Sequence, residues 1–191
     1  MGEIREDMAV EDFLEARPSS YALTKIGNGE YVELWYFSPE GCADAQRSTR
    51  TDADDTYGIS RMGEMVTLRS VASVQASKRV VQDADITWDQ FSFGYKSFIK
   101  YISRAGWPVT HVQALLKFFV QLESSRYLQR PNGQATVLTY QARVRRQWMD
   151  NIKANNPAEA PIFNIAWIND RLMQEMHAEL KDKADAAMQQ K

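Results

Sequence analysis

The sequence predicts a mainly α-helical protein: a bundle of about four main helices, with a small β-hairpin or three-stranded element near the N-terminus. Three observations carry this. Four stretches between Trp88 and Lys183 space their apolar residues by three and four, the period of a helix with one buried face. The breaks between them hold Gly106-Trp107-Pro108 and Pro131-Asn132-Gly133, residues that stop helices and turn the chain. Gly27-Asn28-Gly29 stands between Tyr21–Ile26 and Glu30–Phe37, a pattern that signals a hairpin.

Residues 1–20 form an acidic segment, with Glu3 to Arg17 expected as a short helix ended by Pro18-Ser19-Ser20. Residues 21–85 are expected to hold the hairpin and a polar loop. Ser38-Pro39 predicts a helix start, with Ser38 as cap and Pro39 at the first helical position. The short helix that follows carries Cys42. Ser48 to Glu64 is polar and predicts a loop. Met65 to Val71 alternates and predicts a third strand beside the hairpin, since two strands alone are marginal. Ala72 to Ala84 shows no regular pattern.

Residues 86–183 are expected to form the bundle, with helices over 88–105, 110–124, 134–154 and 165–183. Thr87-Trp88-Asp89-Gln90 fits a capping box, with Ile86 and Phe91 as its hydrophobic staple. Thr110 to Gln113 repeats the box. Gly106 falls where a left-handed residue closes a helix, and Asn164 is placed to cap the last one. Phe98, Ile102, Leu115, Phe119, Val144, Trp148, Ile168 and Leu172 are the expected core. Residues 184–191 lose the pattern and are expected to fray.

Composition narrows the function classes. No apolar run approaches the ~20 residues that span a bilayer. Met1 to Val10 is acidic and polar, unlike a signal or basic transit peptide. A single cysteine, Cys42, rules out an internal disulfide and suits a reducing, intracellular setting, cytoplasm or nucleus. The net charge of −2 means that any nucleic-acid contact must come from a local patch.

One such patch exists. Tyr140-Gln141-Ala142-Arg143-Val144-Arg145-Arg146-Gln147-Trp148 lies on the third helix, with Arg130 just before it. Arginine forks match phosphate, and a core helix would hold them rigidly. Arg143, Arg145, Arg146 and Arg130 are therefore the candidate nucleic-acid-binding residues. The plainer reading is a solvated face, with Arg146 paired to Asp150 four residues on and arginine stems covering apolar surface. Trp35 and Trp167 are the candidate interaction aromatics. Catalytic and metal signals are weak. Cys42, His111 and the carboxylates Asp52, Asp54 and Asp55 are the only reactive set, and they lack metal-ligand spacing. No cofactor motif is present; Gly27-Asn28-Gly29 lacks the following helix of a dinucleotide site.

Several motifs occur together: Leu34-Trp35-Tyr36-Phe37-Ser38-Pro39-Glu40-Gly41-Cys42; Gly106-Trp107-Pro108 with His111, Ala114-Leu115 and Phe118-Phe119; Tyr140-Gln141-Ala142-Arg143 with Arg145-Arg146 and Trp148; and Phe163-Asn164-Ile165 with Ile168-Asn169. Over about residues 30–181 this set resembles an uncharacterised fungal protein family, present in many copies in mushroom-forming fungi and linked to mobile genetic elements. The family pattern places a histidine after the tryptophan, where this chain has Met149. The resemblance implies a Gag-like structural protein or a nucleic-acid-associated accessory protein.

The expectation is a non-enzymatic helical module that binds a second copy of itself, nucleic acid or both. The alternative is an enzyme or accessory domain that uses Cys42, His111 and the Asp52–Asp55 loop.

Overall fold

The computed structural model describes residues 16–51, 57–62, 65–70, 75–154 and 162–189. The chain is mainly helical. Its helices are α1 (Ser20–Gly27), α2 (Pro39–Thr51), α3 (Trp88–Arg104), α4 (Val109–Glu123), α5 (Gly133–Ala154) and α6 (Asp170–Gln189). Among the described residues, two short 3-10 turns, Leu34–Phe37 and Arg126–Gln129, lie between them. The acidic helix expected over Glu3–Arg17 falls mostly outside the described residues.

The hairpin expected over Tyr21–Phe37 is not there. Tyr21–Ile26 is inside α1, capped by Ser19, whose hydroxyl accepts from the Ala22 amide at 3.2 Å. Gly29 has φ +64°, and the amides of Gly29 and Glu30 bond back to the carbonyls of Ile26 and Lys25. Those two bonds are the signature of a helix ended by a left-handed residue. A glycine free to take positive φ serves a hairpin turn and a helix stop equally well, and here it stops a helix. The following residues run extended to the first 3-10 turn, whose four side chains are all buried.

Strands do form further on. β1 (Tyr57–Met62) pairs antiparallel with β2 (Met65–Ser70), Met62 opposite Met65 and Tyr57 opposite Ser70. The expected strand at Met65 is present as β2. Its partner is the stretch expected to be loop, because a strand diluted by Gly58 and Ser60 shows little pattern until its neighbour pairs with it. Residues 75–87 then return along the body. The Ser77 amide donates to the Tyr36 hydroxyl, and the Ser77 hydroxyl donates to Asp44 on α2.

The helices after this point follow their local signals closely. α3 begins with the complete capping box, Thr87 and Gln90 each bonding the other's backbone amide. It ends at Gly106 with φ +78°, where the amides of Gly106 and Trp107 bond the carbonyls of Ser103 and Ile102. Trp107 stands edge-on to Phe98, and its indole donates to the Ile26 carbonyl at 2.8 Å. α4 starts at Val109 on a Pro108 cap rather than at the expected Thr110 box, since the Pro108 carbonyl already takes the amides of His111 and Val112. α3 and α4 face each other through Glu123, which accepts from Ser92, Tyr95 and Lys96.

α6 starts at Asp170, five residues later than expected. Asn164 caps only a turn, accepting from Ala166, and it is Asn169 that accepts from Leu172 at the helix start. α6 then runs on to Gln189, past residue 184 where the apolar pattern fades.

One core joins α1, the first 3-10 turn and α3 to α6. Phe98, Ile102, Leu115, Phe119, Val144 and Trp148 are buried as expected, while Ile168 and Leu172 are half-buried and Met173 and Met176 take the innermost places on α6. Phe119 is the hub: it stacks on Tyr95 at 4.9 Å and meets Phe91, Phe98 and Phe118. Ala22, Ile26, Val32 and all four residues of the first 3-10 turn belong to the same cluster. The stretch from Ala22 to Phe37 therefore seals one side of the bundle.

Candidate functional site

The basic run of α5 splits in space. Each helical residue turns ~100° about the axis, so Arg145 falls on the face of Gln141 and Trp148 and goes inward with them. It is 1% exposed. One Nη donates to the Val32 carbonyl at 2.9 Å and to the carboxylate of Asp83, also 1% exposed. Both carboxylate oxygens of Asp83 accept further bonds: Oδ1 from the Leu34 amide at 2.7 Å and Oδ2 from the Tyr31 hydroxyl at 2.5 Å. Gln141 donates to the Asp83 carbonyl at 3.0 Å.

The guanidinium carbon lies 4.4 Å from the centre of the Tyr31 ring and 5.4 Å from that of Phe98. Its Nε and second Nη have no hydrogen-bond partner among the described residues; the two ring faces supply attraction to the cation instead. Burial is the largest influence and lowers the Arg145 pKa, but the Asp83 charge and hydrogen bond, with Tyr31 and Glu33, together hold the group above its ordinary value. Arg145 is thus no phosphate contact. It pins α5 to the N-terminal segment and to residue 83.

Arg143 and Arg146 do stand on the outer face. Arg146 is half-exposed; its guanidinium lies 4.0 Å from the Tyr31 ring centre and 4.0 Å from Glu33, not on Asp150. Arg143 is exposed, and its side chain has no ion pair or hydrogen bond among the described residues. Between them and the 82–84 stretch is an open pocket of about 280 Å³, lined by Tyr31, Gln82, Asp83, Ala84, Thr139, Ala142, Arg143 and Arg146. Burial, aided by the Asp83 charge, raises the Tyr31 phenol above its usual range against the pull of the two arginines. It stays a protonated donor to Asp83.

Arg130 belongs to a different place. It lies 4.7 Å over the Tyr127 ring, where Arg126 also sits at 5.8 Å while pairing with Asp170. His177 meets the same ring edge-on and contacts the Thr136 hydroxyl at 3.0 Å. The Thr136 hydroxyl also lies 2.9 Å from the Asn132 carbonyl.

The two tryptophans also part. Trp35 is 4% exposed in the first 3-10 turn, so it is core and not an interaction surface. All four side chains of that turn, Leu34 and three aromatics, are buried, where a hairpin strand would have turned alternate residues to opposite faces. Trp167 is 79% exposed. It ends a tight turn closed by its amide on Asn164, and Gln121 of α4 fixes that turn through the Ala166 carbonyl at 2.7 Å.

Cys42 and His111 have separate neighbours. The Cys42 thiol is buried and points to the Tyr36 carbonyl at 3.6 Å. The His111 ring lies 5.4 Å from Trp148, with Nδ1 buried and unbonded. Asp52, Asp54 and Asp55 fall outside the described residues. Among the described residues no group of three or more His, Cys, Asp or Glu could hold a metal ion, and no helix is long and apolar enough to cross a membrane.

Tyr31, Gln82 and Asp83 are the parts of this site that sequence reasoning missed. Asp83 sits in an unpatterned stretch and carries no local mark. The inward course of Arg145 did carry one, in its spacing of four and three from Gln141 and Trp148. No family model, curated protein or solved structure matches the chain.

Proposed function

We propose that the protein is a non-enzymatic helical interaction module whose Tyr31–Arg143–Arg146 edge binds the sugar–phosphate backbone of nucleic acid. One observation carries the reading. Two guanidinium groups stand one turn apart on the outer face of a core helix, beside a pocket, and one of them, Arg143, has no ion pair or hydrogen bond among the described residues. A rigid helix holds such groups at little entropic cost, and contacts of this kind position a nucleic acid without reading its sequence. The structural or nucleic-acid-associated role in a mobile element that the resemblance implies belongs to this proposal, as do a location inside the cell and self-association through the exposed Trp167. The enzyme alternative has less behind it, since Cys42 faces the core and His111 lies against Trp148.

The test is a salt series with single- and double-stranded DNA and RNA. Binding should fall steeply with salt, and Arg143→Ala with Arg146→Ala should lower the slope of log affinity against log salt by roughly 1–2. Size measurements on the same samples report self-association. No binding at low salt, or salt-sensitive binding that survives the double substitution, would overturn the assignment to this edge.

A further inference from the structure

We infer that this edge is built for a single strand, with one unpaired base seated in the pocket and the adjoining phosphate on Arg143. The inference rests on the nucleic-acid reading above and divides its labour between the two arginines.

The division follows from their neighbours. Arg146 has Glu33 at 4.0 Å, so a phosphate brought to it meets a carboxylate as well. A neutral base meets no such repulsion. Arg146 also lies over Tyr31, and a guanidinium held against a ring keeps a plane on which a base can stack. Arg143 has neither restraint, and its charge is free for phosphate. Asp83 does not spoil the pocket, because Leu34, Tyr31 and Arg145 take up its carboxylate.

The size agrees. At about 280 Å³ the pocket lies just below the roughly 300–1,000 Å³ of small-molecule sites. It suits one planar unit of a longer ligand. Ala84 and Ala142 add apolar atoms to its lining, and Gln82 and Thr139 add an amide and a hydroxyl, groups able to meet a base edge. A duplex keeps its base faces stacked inside, so only a single strand can present one here.

The experiment measures full-length protein binding to oligothymidylate, oligouridylate and a duplex of equal length across a range of salt. Wild type should prefer the single strands by about tenfold or more, the scale of one stacked base. Ala142→Leu fills the pocket without touching charge and should bring the single-strand to duplex ratio towards one. Arg143→Ala should reduce the salt slope for single strands by about 1. Arg146→Gln should weaken single-strand binding with the slope nearly kept; because its side chain is half in water, it also serves if Ala142→Leu fails to fold. Equal binding of single strand and duplex, or equal loss of both in Ala142→Leu, would overturn the base-pocket inference while leaving phosphate binding intact. Absence of binding to every polymer would overturn both.

Discussion

Arg145 and Arg146 follow one another in the chain and lie over the same aromatic ring, at 4.4 and 4.0 Å from the centre of Tyr31. One is sealed inside, and the other is half in water. The comparison shows what decides the fate of a charge in a basic run. One step along a helix turns the side chain by ~100°, and the inward position is tolerable only because Asp83 waits there with its own charge and three donors around it. A buried guanidinium without such a partner would cost several kcal/mol. The outer arginine needs none of this, so it remains available to a ligand.

The contrast breaks most visibly at the inner member. Arg145→Ala or Asp83→Ala should each destabilise the protein by about 3–5 kcal/mol, since either leaves its partner buried and uncompensated. Replacing both together with Met and Leu should cost less than either single alanine. Urea denaturation of the set measures this; a loss below about 1 kcal/mol in both singles would put Arg145 on the same footing as its neighbour. Next in size is Tyr31→Phe. It keeps the ring under both arginines but removes the hydroxyl from Asp83, and should cost about 1.5–3 kcal/mol, the range for a hydrogen bond to a charged group.

Alkaline titration sharpens the same point. The Tyr31 phenol is raised by burial and by Asp83, and burial pushes Tyr36 up to about 12 against the Ser77 amide that favours its ionised form. A phenol whose folded pKa lies above its unfolded value of ~10 contributes stability in full below that value. The contribution is lost as pH rises towards and through the folded pKa. Melting temperature should therefore fall above pH ~10, less steeply in Tyr31→Phe and Tyr36→Phe, and phenolate absorbance of the native protein should lag that of the unfolded chain. The smallest effect belongs to the outer pair. Arg143→Ala with Arg146→Ala should change stability by no more than about 0.5 kcal/mol, the usual range for surface positions, as thermal melts would report.

What could be read from the sequence was whatever is decided within a turn or two of chain. The Thr87 capping box and the Gly106 stop are local agreements between neighbours, and both stand as expected. Gly29 obeys the same rule as Gly106 and was misread, because a left-handed glycine announces a reversal without saying whether a helix or a strand precedes it. β1 acquired its identity from β2. The site was the least legible part. Asp83 meets Leu34, Tyr31 and Arg145 across separations of 49, 52 and 62 residues, and no pattern in a single chain links such distant positions. Trp35 and Trp167 look alike in sequence, and only packing tells the buried one from the one in solvent.

The long reach of Arg145 has a consequence for how the protein is made. Its guanidinium closes on Val32, 113 residues upstream, and on Asp83, 62 residues upstream. A ribosome releases the earlier partners first. At ~5–20 residues per second, the 62 residues between Asp83 and Arg145 take roughly 3–12 s to emerge. For that interval Asp83 lacks the guanidinium that it pairs with in the folded chain. The N-terminal segment is then kept from its final burial until α5 arrives, so the nascent chain locks late, from its C-terminal half inward.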